Sequence, residues 1–348
     1  MTMILKRTLA TFLAICFTFI FSTSVGAISI GEDTYSDQPE NYLEYDYINK
    51  TYRTIPIDSI PDYASMTTTT YELDSMAAEL PRLTAINRAM ESTVLPFSIV
   101  DKTKSFIHTP PTTDPYSGVV LLLTWVDING NNIAEDNEWK RGSGFMVAPD
   151  VMVTAAHHVV KYKDGEYLDV EVRIYPYYDS DYQPSVNSTD FIYPKSWICY
   201  DYIPAIEAAN GNGGLVSALN YDWCVMKLQE ELPNVYNYAC SVNIQSSGTS
   251  LFIVSGYSKC TSCSLSSSCN HQTYHQYSSS GTITRKTDYR VYFTNNTNGG
   301  VSGSPFYNAQ TKVCYAIVNS EVGTTENGGT LINENIYNAI SYLIEREY

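Results

Sequence analysis

Hydrophobic positions in this chain fall into short runs bounded by turn residues, and most runs are rich in β-branched or aromatic side chains. Val119 to Val126 (VVLLLTWV) reads as a buried strand, because an unbroken apolar run of this length suits a strand covered on both faces. Asp127 to Asn132 reads as a turn, with Asn129-Gly130 as its hairpin signal. Gly142 to Val147 is a second strand, which Pro149-Asp150 turns into Val151 to Thr154. Further runs follow at Val170–Tyr175, Trp223–Leu228, Ser250–Ser255, Gly281–Thr284, Arg290–Thr294 and Val313–Val318. Short strands at this spacing predict an all-β sandwich or barrel. The last element differs. Ile336, Ile340 and Leu343 fall on one helical face, with Asn333 or Asn335 placed to cap it.

The first 93 residues lack this pattern. Lys6 and Arg7 precede an apolar run from Leu9 to Phe21, 13 residues long, and Val25-Gly26-Ala27 follows. That run is short for a membrane span, so residues 1–27 read as a secretory signal peptide. Residues 28–93 are polar and acidic, with helical spacing only at Ser75 to Met90. They read as a propeptide, or else as a linker or surface extension. The body is expected to start near Val94.

Composition narrows the function. The net charge is −16, and only 17% of residues are charged. An acidic chain is a poor partner for nucleic acid or an anionic membrane surface. A secreted, extracellular protein is expected, a monomer with no stable membrane insertion once the signal is removed. Of eight cysteines, Cys16 lies in the signal segment, which leaves an odd number in the rest.

Three stretches carry candidate chemistry. Asn298-Gly299-Gly300-Val301-Ser302-Gly303-Ser304-Pro305 sets a small nucleophile among glycines, where backbone N–H groups can converge on one point. Thr154-Ala155-Ala156-His157-His158 ends an apolar strand in small residues and then an imidazole. Asp222 opens the apolar strand Trp223–Leu228, a costly place for a carboxylate unless it is paired. Each has an ordinary reading as a turn or a strand end. In the order His, Asp, Ser they form a set suited to nucleophilic acyl transfer.

These motifs resemble those of the trypsin-like (chymotrypsin-fold) serine endopeptidases, and most of all the bacterial glutamyl endopeptidase, or V8-protease-like, branch. That branch has Gly-x-Ser-Gly-Ser-Pro at the nucleophile. Val94-Leu95-Pro96, Gly256-Tyr257 and Ile332-Asn333-Glu334-Asn335 also resemble its segments. The resemblance implies two packed six-stranded antiparallel β-barrels with a C-terminal helix. Residues 94–230 would carry His157 and Asp222, and residues 231–348 would carry Ser302 and the helix. It implies a His157-Asp222-Ser302 triad, an oxyanion hole from the N–H groups of Gly300 and Ser302, protein or peptide substrates, and no cofactor. His158 is the competing base, set second because His157 directly follows Thr-Ala-Ala.

The substrate pocket departs from the family. Thr297 matches, and Asn296 takes the base of the pocket. The family's glutamate-binding His falls instead on Ile317, or on Val318 with a shift of one residue, next to Asn319. Strict cleavage after Glu is therefore not expected, and a small or apolar residue is preferred at P1. A second departure is Cys260-x-x-Cys263, Cys269, His271 and His275, which reads as a disulfide-stapled loop or a zinc site. The alternatives to an active peptidase are an inactive protease-fold secreted binding protein and a metal-binding module built on the Cys260–His275 loop.

Overall fold

In the computed structural model, the described residues are 39–66 and 107–346, less 128–133, 135–138, 164–165, 186–187, 202–215, 245–249, 259–273 and 323–325. The signal peptide, the Ser75–Met90 spacing, the start at Val94, the Asn129-Gly130 turn, and Cys260, Cys263, Cys269 and His271 lie outside them.

The strands in chain order are β1 (Asn41–Asp46), β2 (Thr51–Pro56), β3 (Ile107–His108), β4 (Val119–Trp125), β5 (Lys140–Ala148), β6 (Val151–Thr154), β7 (Tyr162–Lys163), β8 (Glu166–Tyr167), β9 (Glu171–Tyr175), β10 (Pro194–Tyr200), β11 (Cys224–Leu228), β12 (Phe252–Gly256), β13 (Tyr277–Gly281), β14 (Ile283–Lys286), β15 (Arg290–Phe293), β16 (Pro305–Asn308), β17 (Cys314–Val322) and β18 (Glu326–Leu331). Sixteen of them form two eight-stranded sheets, and β7 pairs with β8 in a separate two-stranded sheet. The first runs β2-β1-β10-β11-β6-β5-β4-β9, and the second β14-β15-β18-β17-β16-β12-β13-β3. Their pairings are antiparallel, and the fold is a chymotrypsin-like double barrel. The expected six strands per barrel become eight.

β4 shows why the apolar runs form strands. Val119, Leu121 and Leu123 enter one buried cluster with Phe145, Val151 and Val153. Val120 and Leu122 enter another with Met146 and Met152. Both faces of the strand are covered, so alternation disappears and the sequence reads as a continuous apolar run. The C-terminal helix, Glu334–Glu345, is capped by Asn333, whose Oδ1 accepts from the Ile336 N–H at 3.0 Å. Ile336, Ala339, Ile340 and Leu343 bury its inner face. Among the described residues no helix is long and apolar enough to cross a membrane. Cys199, Cys224, Cys240 and Cys314 are free thiols, and no disulfide forms among the described residues.

Residues 41–56, inside the block read as a propeptide, form β1 and β2 of the first sheet. β1 pairs with β10, and Tyr42, Leu43, Glu44 and Tyr45 are all buried. Its polar look misleads because tyrosine supplies the apolar area. Tyr42 stacks on Tyr200 at 5.7 Å, meets Trp223 edge-on at 6.0 Å, and donates its hydroxyl to the Asn335 carbonyl at 2.9 Å. Glu44 is buried between Arg53 of β2 and Arg346 beyond the C-terminal helix. The pair of strands thus packs onto the residue after Asp222 and onto the last helix.

Other strands escaped the sequence pattern for similar reasons. β13 (YSSSG) and β18 (ENGGTL) look like turns. In β18, a Cβ on Gly329 would lie 2.7 Å from the Ile317 carbonyl oxygen, so glycine serves close strand approach there. The Tyr42→Ala variant should lose about 3–5 kcal/mol, as for other buried aromatic truncations. Tyr42→Phe should lose only about 1 kcal/mol, for the hydroxyl bond. Urea denaturation of the two variants beside the parent chain measures both.

Candidate active site

β6 runs apolar from Val151 to Thr154 and then breaks into a single helical turn, Ala156–Val159. Ala155 and Ala156 are buried, and His157 follows with its ring partly open to solvent. β11 pairs with β6 from Cys224 opposite Thr154, so Asp222, two residues earlier, reaches the same end of the sheet. Asp222 is 1% exposed as a residue, with its side chain fully buried. Asp222 Oδ2 lies 2.7 Å from His157 Nδ1, and Oδ1 accepts the His157 main-chain N–H at 2.9 Å. Burial alone would raise the carboxyl pKa. The attraction of His157 and its two hydrogen bonds outweigh burial, and the net direction is down from 3.8.

The second sheet supplies the Ser302 loop between β15 and β16. The Ser302 carbonyl accepts the Ser143 N–H at 2.9 Å and meets His158 Nε2 at 3.0 Å. Ser143 Oγ donates to the Gly300 carbonyl at 2.8 Å and accepts the Tyr257 N–H at 2.8 Å. β5 of the first sheet therefore clamps the Ser302 loop of the second. Gly303 has φ +87°, and a Cβ there would stand 2.0 Å from the Ser143 carbonyl oxygen. Only glycine fits without moving backbone.

The loop also sorts its own N–H groups. Val301 donates to Asn298, Gly303 to Val318 and Ser304 to Val301. The N–H groups of Gly300, at φ +98°, and of Ser302 have no acceptor among the described residues. Those two donors are the pair an oxyanion requires. The Ser302 hydroxyl makes no hydrogen bond to His157 among the described residues, whereas the His157–Asp222 bond is already made. Catalytic hydrogen bonds often tighten only when substrate binds.

His158 has a different task. It is buried, its ring lies 4.2 Å from that of His157, and it braces the Ser302 main chain. Burial, then the neighbouring His157 charge, holds its pKa well below the ordinary histidine value. A Cβ on Gly142 would approach its Nε2 to 2.4 Å, so glycine there opens the space it fills. Lys161 donates to the His157 carbonyl at 2.6 Å, and burial brings its ammonium pKa down to about 8.

The pocket residues divide. Asn319 supports Asp222, with Nδ2 donating to the carbonyls of Asp222 and Leu219 at 3.2 Å each and to Thr330 Oγ1 at 2.7 Å. Arg290 holds the other end of that amide, donating to Asn319 Oδ1 at 3.1 Å and also to Ser320 Oγ. Ile317 and Val318 are buried in apolar clusters. The Asn296 carbonyl accepts from Ser279 Oγ at 3.0 Å, and Thr297 Oγ1 is buried with no partner among the described residues.

Sequence reasoning missed Ser143, Asn319's support of Asp222, and Arg290. Gly142-Ser143-Gly144 inside a strand was the one available signal for Ser143, since glycine in a strand marks close backbone approach.

No protein-family profile matches the chain, and no curated protein matches it. Among solved structures, the chain is similar to a Glu endopeptidase solved in complex with MPD. The TM-score is 0.51 at 18% identity, covering 72% of this chain and all of that one. It also matches a thermostable serine protease from an extremophilic microorganism, with TM-score 0.42 and 14% identity, covering 65% of this chain and 96% of that one. The first likeness establishes the class of fold, that of the chymotrypsin-like serine proteases.

Two outcomes follow from the geometry. Gly303→Ala should destabilise by at least about 1–3 kcal/mol from backbone strain alone, read by urea denaturation. Asp222 has a folded pKa below its unfolded value of 3.8, so its contribution is fully present above that value. It is lost as pH falls through the lower folded value. Melting temperature measured from pH 6 downward should fall more steeply for the parent chain than for Asp222→Asn.

Proposed function

We propose that this chain is a secreted serine endopeptidase made as a zymogen, cleaving peptide bonds through His157, Asp222 and Ser302. The observation that carries this reading is the buried Asp222 carboxylate bonded to His157 Nδ1, next to a serine loop with two unengaged N–H groups.

In the reaction, Ser302 Oγ attacks the scissile carbonyl carbon while His157 Nε2 takes the hydroxyl proton. Asp222 keeps the other ring proton on Nδ1 and stabilises the imidazolium. The oxyanion receives hydrogen bonds from Gly300 and Ser302. Collapse breaks the C–N bond, His157 returns its proton to the leaving amine, and an acyl-Ser302 ester remains. Water, activated by His157, hydrolyses that ester and restores the serine. Asn319 and Arg290 act as positioning residues, through the Asp222 main chain.

The matched Glu endopeptidase raises the question of P1 preference. In this chain the positions of the family's glutamate-binding His carry Ile317 and Val318, both buried and apolar. An acidic side chain there would lack a charge-assisted partner. Asn296 and the buried Thr297 hydroxyl offer neutral polar contacts. We therefore assign a preference for small or apolar P1 residues. The acidic leader would be cut on activation outside residues 41–56, so that β1 and β2 stay with the enzyme.

Ser302→Ala should leave a folded protein whose kcat falls by about 10⁶, as for loss of the nucleophile in comparable hydrolases. Peptidase assays with circular dichroism on the same sample check this, and normal cleavage by the variant would refute the assignment. A P1-varied peptide library should show no sharp preference for Glu, and a sharp one would overturn the pocket reading.

A further inference from the structure

Away from the Ser302 loop, three side chains remote in sequence converge on one point. His108 lies in β3, at the edge of the second sheet, and pairs with Tyr277 of β13. His275 lies just before β13. Asp179 belongs to the segment after β9, on the first-sheet side of the molecule. His108 Nε2 is 2.9 Å from Asp179 Oδ1, and His275 Nδ1 contacts the same oxygen. The three donor atoms all lie within 4.8 Å of one another.

A fourth side chain gives the cluster its chemistry. Asp181 Oδ1 lies 2.9 Å from His275 Nε2. In a neutral ring, that carboxylate holds the proton on Nε2. Nδ1 then presents a lone pair to Asp179 Oδ1, which is itself only an acceptor. A doubly protonated ring would satisfy both carboxylates, and a metal ion between Nδ1 and Asp179 Oδ1 satisfies the same pair with the ring neutral. An imidazole that ligates a metal commonly gives its other N–H to a carboxylate, which is the arrangement of Asp181 with His275.

We propose that His108, Asp179 and His275 form a zinc site, with Asp181 orienting His275. Two imidazole nitrogens and one carboxylate oxygen suit zinc, whereas calcium and magnesium favour all-oxygen sets. At zinc bond lengths, tetrahedral donors stand about 3.4 Å apart, so Asp179 Oδ1 would move out from its 2.9 Å contact with His108 Nε2 to admit the ion. Water would complete the coordination. The ion clips the segment after β9 to the edge of β3 and β13, where the Tyr274 N–H already donates to the Ser180 carbonyl at 2.8 Å. The role is structural and does not depend on the peptidase reading.

The test uses the full chain, freed of metal by a chelator and titrated with zinc chloride by calorimetry, with melting temperature read in parallel. A variant with Cys260, Cys263 and Cys269 changed to Ser and His271 to Ala removes the other candidate ligands. That variant should still bind one zinc ion per chain and melt higher with zinc than without. Adding His108→Ala or His275→Ala should abolish both effects. Asp181→Asn, a change at an exposed side chain that should not disturb folding, should weaken binding by about 10–100-fold. The proposal is overturned if the Cys/His271 variant takes up no zinc, if uptake survives His108→Ala, or if Asp181→Asn binds zinc as tightly as its parent.

Discussion

The arrangement depends on one buried charge. Asp222 is almost wholly excluded from water, and an isolated carboxylate there would be expensive. His157 makes it tolerable twice over, through its ring and its main-chain N–H. The same two bonds fix the imidazole's orientation, and its other nitrogen has no hydrogen-bond partner among the described residues. Behind the carboxylate, Asn319, Thr330 and Arg290 tie the Asp222 segment to the second sheet. The acid is thus held from both barrels.

A second junction ties the Ser302 loop to the first sheet. Ser143 belongs to the first sheet, yet it bonds to Ser302, Gly300 and Tyr257 of the second half. Gly303 has no side chain because the Ser143 carbonyl occupies the place of its Cβ. His158 adds a second brace on the Ser302 carbonyl. The adjacent histidines therefore divide the work, His157 toward Asp222 and His158 toward the loop backbone.

Much of this was legible in the sequence, and the gaps have physical causes. The strands of the first barrel core showed because both their faces are apolar, as in Val119–Trp125. β1 did not, because Tyr42 and Tyr45 bury aromatic area behind a polar name and Glu44 relies on Arg53 and Arg346, far away in the chain. β18 did not, because its glycines serve contact with β17 rather than a turn. His157, Asp222 and Ser302 stood out because each sits in a distinctive local stretch. Asn319 and Arg290 carry no local signature, and their role exists only once the barrels pack. The cluster of His108, Asp179 and His275 is illegible for the same reason, since the fold alone brings those residues together.

The central claim is that Ser302 is a nucleophile activated by His157. The most direct measurement is labelling with a fluorophosphonate, with the modified residue mapped by mass spectrometry in the parent chain and in His157→Ala. The account predicts modification at Ser302 in the parent and its near-complete loss in the variant. A folded chain that does not react, or that labels Ser302 equally well without His157, would contradict it.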